Sequence, residues 1–302
     1  MRFAVFAALA ALLVAPSLHA QGAPALPRLM NAQSINALPQ ARPTAILRYG
    51  DHPSQLVELF LPAGERAPGR LPVVVMVHGG CWQSAVAGPG LLRAAAGALA
   101  RKGLAVWSVG YRRVDEEGGG YPGTYADVAA AIELLLSEAE QRGLDPGNVV
   151  FFGHSAGAHL ALWAASRHRL PKDSPLWSED PLRPRGVVAF GGFGDLREDS
   201  GAIRAACRID PAERLVNPLA ADPFADTSPA ALLPARVPVV MVHGVYDGVA
   251  YPRIGLAHAQ AARAAGDQAD VLLVPNAGHF EGLAPGQRAF EVVTAELERF
   301  TR

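Results

Sequence analysis

The stretch Val149-Val150-Phe151-Phe152-Gly153-His154-Ser155-Ala156-Gly157-Ala158-His159-Leu160 decides the fold class. Val149–Phe152 is a short apolar run suited to a strand buried on both faces. Ala156–Arg167 is rich in Ala and Leu and reads as a helix. Between them stands Gly153-x-Ser155-x-Gly157. In a strand–turn–helix setting this pattern puts a serine on a sharp turn, with its hydroxyl exposed at the end of the sheet. The two glycines remove side chains that would strike neighbouring backbone. The start of the following helix favours negative charge nearby. Ser155 is therefore the candidate nucleophile; the bland alternative is a chance serine in a small-residue turn. His154 and His159 are five residues apart and fall on different helix faces, unlike the i, i+4 pair of a zinc helix. Packing is the expectation for both.

Outward from this turn, Val73–Val77, Ala105–Val109, Gly186–Phe190, Val237–Val242 and Val271–Val274 repeat the short apolar pattern. Gln55–Phe60 adds an early strand. Pro89–Lys102, Tyr125–Gln141 and a final amphipathic stretch within Glu281–Phe300 read as helices. Strands without polar alternation, separated by helices, predict an α/β protein with a mostly parallel central sheet and helices on both faces. Phe193–Pro234 breaks the alternation with many Asp, Arg, Pro and Ala residues. It is expected as a short cap-like insertion over the site, not as a second domain. Gln21–Pro43 reads as a linker or loosely packed arm.

Two further strand ends complete a chemical pattern. His78-Gly79-Gly80-Cys81-Trp82 follows Val73–Val77. Its glycines allow backbone N–H groups to approach a substrate oxygen, and an oxyanion needs such donors. The N–H after the nucleophile, on Ala156, would be a second donor. A serine nucleophile also needs a base and a carboxylate that orients it. Asp247 follows Val237–Val242 in His243-Gly244-Val245-Tyr246-Asp247, and His279 follows Val271–Val274. The chain order Ser155, Asp247, His279 suits such a sheet. Asp195, after Gly186–Phe190, is the rival carboxylate. His243 is expected to be structural, and His52, His168 and His258 to face solvent. Trp82, Tyr111 and Phe193 are candidates for the substrate-binding wall, with core packing as the alternative.

Taken together, these motifs resemble the α/β-hydrolase superfamily from about Gln55 to Phe300. Within it, His78-Gly79-Gly80-x-Trp82 with Gly153-His154-Ser155-Ala156-Gly157-Ala158-His159-Leu160 is similar to the group of kynurenine formamidase and bacterial acetyl-xylan and feruloyl esterases. The resemblance implies Ser155 as nucleophile, His279 as base and Asp247 as its orienter. It implies oxyanion donors on Gly80, Cys81 and Ala156. Cys81 departs from lipase-like members, which carry a third glycine there. A backbone N–H does not depend on the side chain, so the hole survives this change.

The 302 residues are 50% hydrophobic and 18% charged, with a formal net charge of −1. This composition excludes a strongly basic nucleic-acid binder and wholesale disorder. Two cysteines exclude a four-cysteine zinc site. The residues imply no metal or organic cofactor. At the N-terminus, Arg2 precedes the apolar run Phe3–Val14, and Pro16-Ser17-Leu18-His19-Ala20 ends it. The run is shorter than the roughly 20 residues a span needs. Residues 1–20 are expected as a signal peptide cleaved near Ala20, with an arm at 21–54 and the hydrolase domain at 55–302. The mature protein is then periplasmic or extracellular and carries no stable membrane anchor. Export permits a disulfide, and Cys81–Cys207 would tie the insertion over the active site; two buried thiols are the alternative. The expected activity is a secreted serine hydrolase cleaving small carboxylic esters. Rivals are an arylformamidase, an exopeptidase-like hydrolase and a non-catalytic binding protein on the same scaffold.

Overall fold

A computed structural model describes residues 27–64 and 69–302. The expected leader, residues 1–20, lies outside the described residues. Among the described residues, no helix is long and apolar enough to cross a membrane.

Among the described residues, eight strands form one sheet: β1 (Ala45–Arg48), β2 (Leu56–Phe60), β3 (Leu71–Val77), β4 (Ala105–Val109), β5 (Leu144–His154), β6 (Val187–Phe190), β7 (Val239–Gly244) and β8 (Ala269–Val274). Their order is β1-β2-β4-β3-β5-β6-β7-β8. The pairs β1–β2 and β2–β4 are antiparallel, and all the others are parallel. The parallel core explains the unbroken apolar runs. Along β3, Val73, Val75 and Val77 enter one core layer while Val74 and Met76 enter the other. Phe151 and Phe152 of β5 split in the same way. Burying each such side chain stabilises by about 1.5–3 kcal/mol.

Helices α2 (Arg93–Arg101) and α8 (Arg288–Thr301) cover one face. On the other lie α3 (Gly123–Arg142), α4 (Ala156–Ala165) and α7 (Pro252–Ala264). The α8 periodicity is direct: Ala289, Phe290, Val293, Leu297 and Phe300 are its buried stripe. The insertion carries the short helices α5 (Ser200–Cys207) and α6 (Pro211–Arg214). Its Ile203, Leu215, Val216 and Phe224 join the sheet's own core, so it has no core of its own.

The N-terminal arm differs from the sequence expectation. β1 hydrogen-bonds to β2, so the sheet begins at Ala45 and the 21–54 arm ends earlier than expected. The arm also is not loosely packed where it is described. Helix α1 (Ala32–Asn36) starts at a capping box between Asn31 and Ser34 and buries Ile35 completely. Polar composition hid it, because one buried apolar residue produces no period.

Candidate active site

Every parallel strand delivers its C-terminal end to one edge of the sheet, where open α/β sheets bind ligands. There β5 ends at His154, and α4 starts at Ala156. Ser155 between them has φ 54° and ψ −122°. That left-handed conformation stores strain and throws the side chain outward. The flanking glycines are required by close approach. A Cβ on Gly153 would stand 2.3 Å from the Gly157 carbonyl oxygen, and one on Gly157 would stand 2.1 Å from the Val77 oxygen. The Ala156 N–H opens the first turn of α4, where backbone donors lack helical partners.

Ser155 and His279 line a common cleft of about 190 Å³. The His279 ring donates from Nδ1 to Asp247 Oδ2 at 2.8 Å, leaving Nε2 free to face the cleft. Both residues are buried. Asp247 is held in turn: its Oδ1 accepts the Val249 and Ala250 N–H groups. Burial pushes its pKa upward, but the His279 bond and these N–H donors outweigh burial and keep the carboxylate below its usual range. Asp195, the rival, instead accepts the Arg197 N–H at 2.9 Å. His243 is buried and donates to the Ala250 carbonyl, fixing the Asp247 loop, in keeping with a structural role.

Gly80 and Cys81 form the cleft wall beside Ser155. Gly80, Cys81 and Trp82 all have positive φ, which turns this loop sharply after β3. Cys81 is bonded to Cys207 at the end of α5, across 126 positions. Neighbouring Ala206 also lines the cleft, so the bond joins the loop after β3 to the insertion. Cys207→Ser should lower unfolding stability by about 2–5 kcal/mol, the usual effect of losing a bridge around a long loop. Denaturant melts check this, and thiol titration of the denatured, unreduced wild type should find neither cysteine free.

The expected aromatic wall is corrected. Trp82, Tyr111 and Phe193 are completely buried in the core. Tyr111 donates its hydroxyl to the His78 carbonyl and stacks on the His78 ring. Trp82 packs against His159 and Phe193. These rings are wedged beneath the loop after β3, because the turn at Gly80–Trp82 points Trp82 inward. The walls are instead mostly small or aliphatic (Ala32, Val86, Ala87, Leu91, Ala206 and Val249), with Phe280 as an aromatic ring among them.

The other histidines sort by burial. His154 and His159 are buried, with Nε2 of each on a backbone carbonyl, those of His279 and Thr227. His258 is buried too, contrary to the solvent-facing expectation, because α7 turns it against Gly194. His52 and His168 are half-buried.

Gly191, just after β6, was missed. It has φ 56°, and a Cβ there would stand 2.9 Å from His279 Nδ1 and 3.0 Å from Asp247 Oδ2. The only local signal is the Gly191-Gly192 pair. Gly191→Ala should lower kcat about tenfold or more by displacing the His–Asp pair; steady-state kinetics on folded variant checks it.

Known proteins share the fold and the family of this chain. The BD-FAE family model matches residues 57–253. An isoprenylcysteine alpha-carbonyl methylesterase of Arabidopsis thaliana is 26% identical over 218 residues, 66% of this chain and 47% of that protein. The chain spans less than half the length of the curated relatives it matches. Among solved structures, a truncated carbohydrate esterase from gut microbiota aligns with TM-score 0.69 and 21% identity, over 86% of this chain and 97% of that one. A thermophilic esterase from the Planctomycetes species Thermogutta terrifontis aligns with TM-score 0.65 and 21% identity, over 85% and 92%. The fold is that of the α/β-hydrolases.

Proposed function

This chain belongs to the BD-FAE family, and from that premise we propose that it hydrolyses carboxylic esters through an acyl-enzyme on Ser155. The observation that carries the reading is one cleft holding Ser155 and a His279 ring fixed by Asp247. Relatives named as a methylesterase and as esterases support it.

Ser155 Oγ attacks the acyl carbon while His279 Nε2 takes its proton. The imidazolium so formed keeps its Nδ1–H on Asp247. Backbone N–H groups of Gly80, Cys81 and Ala156 receive the oxyanion, each worth roughly 10²–10³ in rate where measured elsewhere. His279 then protonates the departing alcohol oxygen. Water, deprotonated by the same nitrogen, attacks the acyl carbon and releases the acid and the serine. The small apolar cleft suits a neutral acyl group of short to medium length.

An ester panel with one alcohol and graded acyl chains, run beside an N-formyl aryl amide, tests the reaction class. Ester turnover with labelling of Ser155 by a fluorophosphonate is expected. Preference for the formyl amide would favour the arylformamidase, and absence of turnover and labelling would favour a binding protein. We also infer export, supported by the apolar leader and by a disulfide between Cys81 and Cys207. Sequencing the N-terminus of protein recovered from the periplasm or medium should start it near Gln21.

A further inference from the structure

We propose that Glu281 is a positioning residue that binds the His279 loop and an N-terminal strap into one wall of the cleft. This rests on the roles given above to Ser155 and His279. Glu281 is 3% exposed. Its Oε2 accepts the N–H of Gly278, the residue just before His279, at 2.8 Å. Its Oε1 accepts the Met30 N–H at 2.5 Å, across 251 positions of sequence. One buried carboxylate thus bridges the base loop to the start of the described chain.

Burying a carboxylate is costly unless its oxygens are bonded. Here both oxygens accept backbone N–H groups, and such charge-assisted bonds are the stronger kind. Because the partners are peptide groups, the carboxylate fixes chain geometry. The strap continues from Met30 into the capped Ala32–Asn36 helix, whose Ile35 is buried and whose Ala32 lines the cleft beside Ser155 and His279. Leu29 lies against Gly278, 3.2 Å from where a Cβ would stand. His279 itself is then held three ways. Asp247 accepts from its ring, His154 donates to its carbonyl, and Glu281 accepts from the peptide before it. The third hold also ties in the strap that brings Ala32 to the cleft. Loosening it should therefore affect both the base and substrate fit.

The test uses the mature full-length chain, p-nitrophenyl acetate and hexanoate, and the rate of phosphonylation by a fluorophosphonate. Glu281→Ala should lower kcat about tenfold or more and slow phosphonylation in step. It should also raise KM for hexanoate more than for acetate. Glu281→Gln keeps one acceptor oxygen and should fall between Ala and wild type. A lower Tm with kcat, KM and phosphonylation unchanged would mean a purely structural role and overturns the proposal. Ala32→Met leaves the Glu281 bonds in place and serves should Glu281→Ala fail to fold. It should lower kcat/KM for hexanoate about tenfold more than for acetate; equal effects on both esters overturn the strap as a wall. A wild type that neither turns over these esters nor labels at Ser155 removes the functional reading and this proposal with it. That result is distinct from an active wild type matched by its variants.

Discussion

Ser155→Ala should lower kcat/KM on any ester the wild type hydrolyses by at least about 10⁴-fold, with the fold intact. The loss is this large because, among the described residues lining the cleft, Ser155 is the one available nucleophile, Cys81 being held in its disulfide, and because members of such a proposed unit fail together. Ser155→Gly should be equally inactive, yet about 1 kcal/mol more stable than Ser155→Ala. Ser155 sits at φ 54° and ψ −122°, a region costing a non-glycine residue about 1–3 kcal/mol. Glycine relieves that strain and gives back about 0.5–1 kcal/mol in chain entropy. Denaturant melts of the two variants side by side would measure the difference. A Ser155→Gly variant about 0.5–1 kcal/mol less stable than Ser155→Ala would show that the turn is unstrained.

The second large effect is acid instability. Burial pushes the imidazoles of His78 and His154 down to about 3, and those of His159 and His258 down to about 4. In the unfolded chain each binds a proton near 6.5. Between about pH 6.5 and pH 4 the unfolded state therefore holds more protons than the folded one. Their contribution is intact above pH 6.5 and is lost as the pH falls through that window. Each group costs about 1.4 kcal/mol per pH unit there, or about 2 kcal/mol by pH 5. Four such groups acting together rival the whole stability of an ordinary domain, about 5–15 kcal/mol. Urea midpoints at pH 7 and pH 5 should differ sharply. His258→Leu should remove one proton from the slope while leaving activity at pH 7 intact, since His258 touches none of the reacting groups. A midpoint that does not move between the two pH values would show that these rings accept protons in the folded state.

Ser155, Asp247 and His279 could be picked out because each follows an apolar strand, and strand ends converge in a parallel sheet. The choice between Asp247 and Asp195 was partly legible, from the longer pattern around Asp247. It is the structure that gives Asp247 the His279 ring and Asp195 a turn N–H. Wall and core remained open for Trp82, Tyr111 and Phe193 because large aromatic side chains suit both. Trp82, Tyr111 and Phe193 went to the core once the loop after β3 took its left-handed turn.

Sequence by itself determined the alternation of strands and helices, the serine turn and the chain order of Ser155, Asp247 and His279. Those features are written in neighbours, through apolar period, glycine spacing and turn chemistry, and neighbours are what a sequence displays. Tertiary structure alone decided which carboxylate reaches His279, that Gly191 must lack a side chain, that Ala32 lines the cleft, and that Glu281 joins Met30 to Gly278. These depend on groups brought within a few ångströms across long stretches of chain, as Met30 and Glu281 are across 251 positions. No local propensity encodes such a meeting; it follows from packing two layers of helices on one twisted sheet.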